Sequence, residues 1–364
     1  MTPTPLSTPR HQLQNDHLPE AEEVQLDLSL CSNPLGPPTS ATAVLVDFHG
    51  RRRRELALPP HNAAALLQDA FAEDLSAGGR NVHPRSLVLG RGVSEFITML
   101  ARILHYDGRR VAVIVPEYTG TVTAFAFADF VGPVDTAHDS AELRLDRVRH
   151  AMQEYDYVIL SNPSNPLGHY LDPDALLRIC RKNPTAILVV DEEYIRFQPN
   201  GRSLAGADVN NLVVWQSAGK TYSIVGCRVG VMWTRHPILL ARAKARVVDW
   251  PVSLLDASVA LAALQDTAWR DASLKKVQAE AQALHELLTE LGGTVSGGIH
   301  FRFLHLHDPN PLAAYLDSQG IRVRTFQGNQ PGRAAGIRIM APENLRQRQR
   351  LAEVLRARPQ ELSL

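Results

Sequence analysis

Leu212-Val-Val-Trp-Gln-Ser217-Ala-Gly219-Lys220-Thr-Tyr-Ser-Ile-Val-Gly226-Cys-Arg228-Val-Gly230 runs from an apolar stretch through a turn of small residues to a lysine and then an arginine. The chain is poor in lysine. Of its 38 basic residues only five are Lys, at 182, 220, 244, 275 and 276. The other four lie in polar or helical contexts beside other charges, whereas Lys220 follows a strand-like run. Burial lowers a lysine pKa and makes the amine a nucleophile toward aldehydes. Ser217, three residues before, and Arg228, eight after, suit an anion clamp beside that amine.

Working outward, short apolar runs alternate with helical patterns. Strands are expected at 86–90, 110–115, 157–160, 186–191, 212–215 and 230–233, each nearly continuous in apolar residues, as in strands buried on both faces. Helices are expected at 62–77, 94–106, 119–129 and 173–182. The alternation predicts an α/β domain with a mostly parallel sheet. From 237 to about 265 a long helical pattern breaks at Trp250-Pro251, because Pro251 has no amide hydrogen to donate. A helix at 273–291, a strand at 298–306, a helix at 311–319, strands at 321–324 and 336–340 and a helix from Glu343 make a smaller α+β unit. The expected division is a flexible N-terminal arm (1–25), a segment joining the small domain (26–55), a large domain (56–245), and a linker helix with the C-terminal small domain (246–364).

Net charge is zero, so no global basic field for nucleic acid exists; Arg51-Arg-Arg-Arg54 reads as a solvated or interface loop. The three cysteines, Cys31, Cys180 and Cys227, have no CxxC spacing, which argues against a disulfide framework or zinc site and fits a reducing cytoplasm. No apolar run reaches the roughly 18 residues of a membrane span, and the first residues lack the apolar core of a signal peptide.

Several further residues stand at strand ends, where α/β folds bind ligands. Gly90-Arg-Gly92-Val93-Ser94 closes a strand and opens a helix, and amides at a helix amino terminus bind phosphate. Asn162-Pro-Ser-Asn165-Pro-Leu-Gly168 is a doubled Asn-Pro turn, and Asn165 can donate to a phenolate oxygen. Asp191-Glu-Glu-Tyr194 ends the most apolar strand. A carboxylate there can pair with a protonated ring nitrogen, and Tyr194 can reach the same ring's phenolate oxygen. Metal ligation by Asp191, Glu192 and Glu193 is the rival reading, weakened by the lack of a nearby histidine. Tyr118 can stack on a flat ring. Arg338, flanked by apolar residues, needs an anion: a ligand carboxylate, which its planar fork matches, or the partner of a structural salt bridge. Pyridoxal phosphate combines the aldehyde, phosphate, phenolate and ring nitrogen that these groups would meet.

Together these motifs resemble the fold-type I pyridoxal-phosphate enzymes of the class I/II aminotransferase family, and are most similar to its histidinol-phosphate aminotransferase and threonine-phosphate decarboxylase subgroup. The likeness runs from about residue 26 to 357 and includes Leu28-Ser-Leu-Cys-Ser-Asn33-Pro-Leu-Gly36-Pro. It implies a large domain with a mostly parallel sheet of the seven-stranded type. By the same likeness Lys220 is the Schiff-base and proton-shuttling lysine, Asp191 the ring-nitrogen partner, and Asn165 and Tyr194 the groups on the ring oxygen. Tyr118 is the stacking aromatic, and Gly92, Val93, Ser94, Ser217 and Arg228 are the phosphate cup. Arg338 is the α-carboxylate binder, helped by Asn165 and the backbone at Gly36. A cytoplasmic homodimer with each site at the subunit interface, acting on an amino acid and a keto acid, is implied too. Residues 28–36, 51–60 and 245–256 are expected to shape the side-chain pocket.

Three departures from the family pattern stand out. Gly219 replaces the serine often found before the lysine. Pro59-Pro60 replaces a Tyr-Pro pair whose tyrosine reaches the neighbouring subunit's phosphate. Ser223-Ile-Val-Gly226 replaces Gly-Leu-Ala-Gly. Transamination is the leading expectation. The alternative is decarboxylation of a phospho-amino acid, or elimination and cyclisation of a hydroxylated amino acid such as an arginine derivative. A cofactor-sensing regulator on the same fold would need a DNA-binding domain, and the N-terminal arm offers no helix-turn-helix.

Overall fold

The computed structural model describes residues 25–328, 333–362 and 364. Of the arm expected at 1–25, all but Gln25 lies outside the described residues. The strands are Leu26–Asp27 (β1), Leu87–Gly90 (β2), Val111–Ile114 (β3), Asp129–Val131 (β4), Tyr157–Ser161 (β5), Ile187–Asp191 (β6), Leu212–Ser217 (β7), Gly230–Thr234 (β8), Val295–Ser296 (β9), Phe301–His305 (β10), Ile321–Arg322 (β11), Arg324–Phe326 (β12) and Gly336–Met340 (β13).

Seven strands form one sheet in the order β2-β8-β7-β6-β5-β3-β4. Neighbours from β7 to β4 run parallel, and β8 runs antiparallel to both β7 and β2. Every residue of β5 and β6 is buried, because helices cover both faces. Alternate side chains point to opposite faces. Leu188 and Val190 join a core with Leu67 and Phe71 of helix His61–Ser76. Val189 and Trp215 join another with Phe96 and Leu100 of helix Val93–Tyr106. The six apolar runs read from the sequence all lie in this sheet.

The seventh strand, β4, was not expected. The helix foreseen at 119–129 ends at Ala124, and Asp129–Val131 adds a strand to β3 instead. Helix Ala141–Glu154, capped by Ser140, is so polar (Arg144, Arg147 and Arg149 among its residues) that its apolar stripe was hidden. Helix Thr39–His49 follows Pro38 with no side-chain cap, so the usual start signal is missing. Helix Pro173–Lys182 has the expected bounds, with Asp172 accepting from the Asp174 and Ala175 amides. The break expected at Trp250-Pro251 separates helices Pro237–Lys244 and Leu254–Gln265. The helix expected from 273 begins at Thr267.

A second sheet, β12-β13-β10-β9, is antiparallel. Helices Thr267–Glu290 and Leu345–Arg356 pack on it through Leu284, Leu288, Leu351 and Leu355. Strand alternation in β13 sends Ile337 and Ile339 into that core and Arg338 the other way, over the Phe301 and Phe326 rings at 5.3 and 5.5 Å. β1 pairs in parallel with β11. No helix among the described residues is long and apolar enough to cross a membrane.

Gly336 starts β13 at φ 152°, where a Cβ would overlap the Leu304 carbonyl oxygen and lie 2.8 Å from the Phe303 ring. Gly336→Ala is expected to cost about 1–3 kcal/mol through overpacking and backbone strain. The midpoint of urea unfolding reads it directly.

Candidate active site

The carboxyl ends of β5, β6 and β7 open into a cavity of about 310 Å³, at the edge where parallel sheets place ligand sites. Its walls bring together Gly92, Val93, Ser94, Tyr118, Asn165, Asp191, Tyr194, Ser217, Lys220, Arg228 and Arg338. Gly36 is not among the lining residues, and neither are residues 51–60 or 245–256. Of the segments expected to shape the pocket, only Ser29, Leu30 and Cys31 line it. Arg51 and Arg52 pair instead with Asp47 and Glu55 on the surface.

Each side chain is held by its element. Helix Val93–Tyr106 begins without a side-chain cap after Gly92, at φ 77°. A Cβ on Gly92 would lie 2.8 Å from Arg228 Nη2, so only glycine lets that guanidinium close on the helix amino terminus. Backbone amides, a helix terminus and Arg228 form a cradle fitted to a phosphate. Asp191 ends β6 and accepts the Glu193 amide at 2.9 Å. Burial, and then the neighbouring Glu193 charge, hold its carboxyl well above the usual carboxylate range. A protonated ring nitrogen is the partner that would favour its ionised form. Burial likewise pushes the Tyr194 phenol well up.

The Asn165 turn is closed by side chains. Asn162 Nδ2 donates to the Leu171 carbonyl and its Oδ1 accepts the Leu171 amide, at 3.0 and 2.8 Å. The Asn165 amide donates to Ser161 Oγ at 3.2 Å, and its Oδ1 accepts Arg338 Nη1 at 2.6 Å. Arg338 Nη2 donates to the Ser29 carbonyl at 3.2 Å, while its buried Nε has no partner. The Lys220 carbonyl accepts the Asn33 amide at 2.8 Å. Asn33 Nδ2 donates to the Thr221 carbonyl and Ser273 Oγ. These bonds latch residues 28–36 onto the lysine turn. A phosphate cradle, a buried carboxylate, a lysine and a guanidinium in one cavity are the donor set that pyridoxal phosphate and an amino acid require.

Sequence reasoning did not single out Cys31, Glu193 or Arg324 as cavity residues. Glu193 was legible only as a member of an acidic triplet, and Cys31 only as a thiol within the segment 28–36 expected at the pocket. Nothing in the local pattern announces Arg324. No group of three or more His, Cys, Asp or Glu suited to a metal occurs among the described residues.

A model of the aminotransferase class I and II family matches residues 23–355. A histidinol-phosphate aminotransferase of Acinetobacter baumannii (strain AYE) is 26% identical over 340 residues, covering 91% of this chain and 90% of that protein. The histidinol-phosphate aminotransferase of Sinorhizobium meliloti, solved in complex with pyridoxal-5'-phosphate, superposes with a TM-score of 0.75 at 19% identity. It covers 92% of this chain and 91% of its own. The L-threonine-O-3-phosphate decarboxylase of Porphyromonas gingivalis gives 0.74 at 20% identity, covering 91% and 98%. At these identities the two solved structures show a shared fold.

The Asn165 turn also carries an acid-sensitive group. The Ser164 amide donates to the His169 carbonyl at 2.8 Å, and the His169 amide to Ser164 Oγ at 2.9 Å. Burial, and then the Arg144 charge, lower the imidazole pKa from 6.5 to about 4. The unfolded chain binds this proton near 6.5 and the folded chain only near 4, so folding loses stability as pH falls through that window. His169→Gln is expected to remove up to about 3 kcal/mol of that loss. The comparison is of unfolding midpoints at about pH 7 and pH 4.5; equal pH dependence in both proteins would contradict it.

Proposed function

The chain belongs to the aminotransferase class I and II family and is a pyridoxal-phosphate-dependent aminotransferase, and we propose that it moves the amino group of an amino acid or amino-acid-like amine to a keto acid. The observation that carries this reading is the meeting of Lys220, Asp191 and Arg338 around one cavity. When bound, pyridoxal phosphate supplies an aldehyde that captures amines and a ring that takes up the electron pair released at the substrate's Cα.

The chain's own residues supply the rest. Gly92, Val93, Ser94, Ser217 and Arg228 would hold the phosphate, Asp191 would keep a proton at the ring nitrogen, and Asn165 and Tyr194 would hold the ring oxygen. Tyr118 covers the ring face. Arg338 takes the substrate carboxylate in its fork and fixes which Cα bond stands ready to break. Lys220 Nζ would hold the cofactor and, when free of it, would be the base placed to take the substrate's Cα proton. Cys31, Cys180 and Cys227 are all free thiols, consistent with a cytoplasmic setting.

A second reading keeps the cofactor and changes the fate of the substrate: decarboxylation of a phospho-amino acid, or elimination and cyclisation of a hydroxylated amino acid such as an arginine derivative. One observation favours its first form: Arg324 lines the cavity with Arg338, so a phospho-amino acid, with two anionic groups, would meet two guanidiniums.

The homodimer is also part of this proposal. Leu58 and Leu66 line a second apolar groove with Leu254 and Leu261. Leu58, Leu66 and nearby Leu45, Val46 and Leu56 are exposed in the single chain. A second copy would cover such a patch. Sedimentation equilibrium is expected to give a dimer, and a monomer at micromolar concentration would refute it.

Lys220→Ala is expected to abolish the visible absorbance of protein-bound cofactor and to lower turnover by at least about 1000-fold. Arg338→Met should keep that absorbance and raise the KM for the amino donor on the order of 100-fold. Mass spectrometry of products from a panel of amino donors separates the two readings. Transamination needs a keto acid and leaves the carbon chain intact, whereas loss of CO₂ or of a leaving group without a keto acid would establish the second.

A further inference from the structure

Glu193 lines the same cavity and has no part in the chemistry proposed above. Its Oε1 accepts the Ser217 hydroxyl at 2.6 Å, while Ser217 Oγ accepts the Gly219 amide at 3.1 Å. A serine hydroxyl has one proton to donate, and here the carboxylate receives it. Gly219 offers no second hydroxyl in its place. The Lys220 and Arg228 charges also act on Glu193. A phosphate held by Ser217 and Arg228 would therefore share both with a carboxylate, and like charges in one cavity repel.

We propose that Glu193 sets the site's affinity for the phosphate-bearing cofactor, by competing with the phosphate for the Ser217 hydroxyl and the Arg228 guanidinium. This rests on reading the cavity as the pyridoxal-phosphate site. The titratable and charged groups facing Glu193 are Asp191 and Tyr194 from its own stretch, Tyr118 after β3, and Lys220 and Arg228 after β7. Only the last two oppose its charge. Burial raises the Glu193 carboxyl above the usual range, and Ser217, Lys220 and Arg228 draw it back. Its charge appears as pH rises from the acid side, so the competition strengthens with pH.

The test uses the full chain, stripped of cofactor, in equilibrium dialysis against pyridoxamine 5′-phosphate and, separately, pyridoxamine. Neither has an aldehyde for Lys220 to capture, and the pair differs only in the phosphate. Glu193→Gln is expected to bind pyridoxamine 5′-phosphate at least about tenfold more tightly than wild type near pH 8.5, with the advantage shrinking on the acid side as the carboxylate is protonated. Its pyridoxamine affinity should stay within about twofold. Ser217→Ala should cost wild type about twofold or less and the Glu193→Gln protein about tenfold, because a neutral amide oxygen competes with the phosphate for the hydroxyl less well than a carboxylate does. A purely structural Glu193 would shift both probes together. Equal affinities for pyridoxamine 5′-phosphate across the pH range, or parallel shifts for both probes, overturn the proposal. If the glutamine variant does not fold, Glu193→Ala is read by the same criteria. Should wild type bind no pyridoxal phosphate at all, the reading of the cavity fails and the proposal falls with it; binding without the predicted difference sinks the proposal alone.

Discussion

A carboxylate in the interior, that of Glu117, holds the site's walls in place. It pairs with Arg144 at 3.3 Å, with both side chains almost wholly buried. It also accepts the Ser161 amide and Ser161 Oγ at 2.6 Å each, and the Tyr118 amide at 2.7 Å. A buried ion pair costs several kcal/mol in desolvation unless further hydrogen bonds satisfy it, and this one has them. The arrangement ties the end of β3 to the end of β5 and to helix Ala141–Glu154. It continues through Ser161 Oγ to the Asn165 amide, and from Asn165 Oδ1 to Arg338. A single polar path thus runs from beneath the seven-stranded sheet to the antiparallel one, and it joins the Ser161 and Arg338 walls of the cavity.

Residues 26–36 make the second link between the two sheets. Leu28 accepts the Met340 amide beside β13, and Ser29 accepts Arg338 Nη2. A few residues on, Asn33 holds the Lys220 turn through backbone and side chain. Arg338 and Lys220 are therefore joined by one short covalent segment as well as by packing.

Much of this was legible in the sequence, for reasons that can be named. Strands buried on both faces leave unbroken apolar runs, as Ile187-Leu-Val-Val does, and residues that serve a ligand cluster where those runs stop. Asp191, Asn165, Ser217 and Lys220 could be found that way. Illegible were features set by tertiary packing. β4 depends on pairing with β3 rather than on its own composition, and helix Ala141–Glu154 turns a buried arginine inward. Arg144, at 0% exposure, looks in sequence like any surface charge. Cys31 and Arg324 reach the cavity only because residues 26–36 and β12 converge there.

The triplet Asp191-Glu192-Glu193 shows how far local sequence underdetermines role. The three acids are adjacent and chemically alike, and backbone direction separates them. Asp191 and Glu193 line the cavity. Glu192 is buried away from it, accepting Ser203 Oγ at 2.5 Å, the Leu204 amide at 2.7 Å and Gln216 Nε2 at 2.7 Å. With three donors Glu192 is a fixture joining the ends of β6 and β7, as Glu117 is for β3 and β5. Glu193 takes a hydroxyl that a phosphate can also claim and the Lys220 amide, and lies close to the Lys220 and Arg228 charges. A buried charge with many fixed partners specifies structure; one with few and shared partners responds to what enters the cavity. On that physical ground, and not from the motif, Glu193 belongs with the functional residues and Glu192 with the frame.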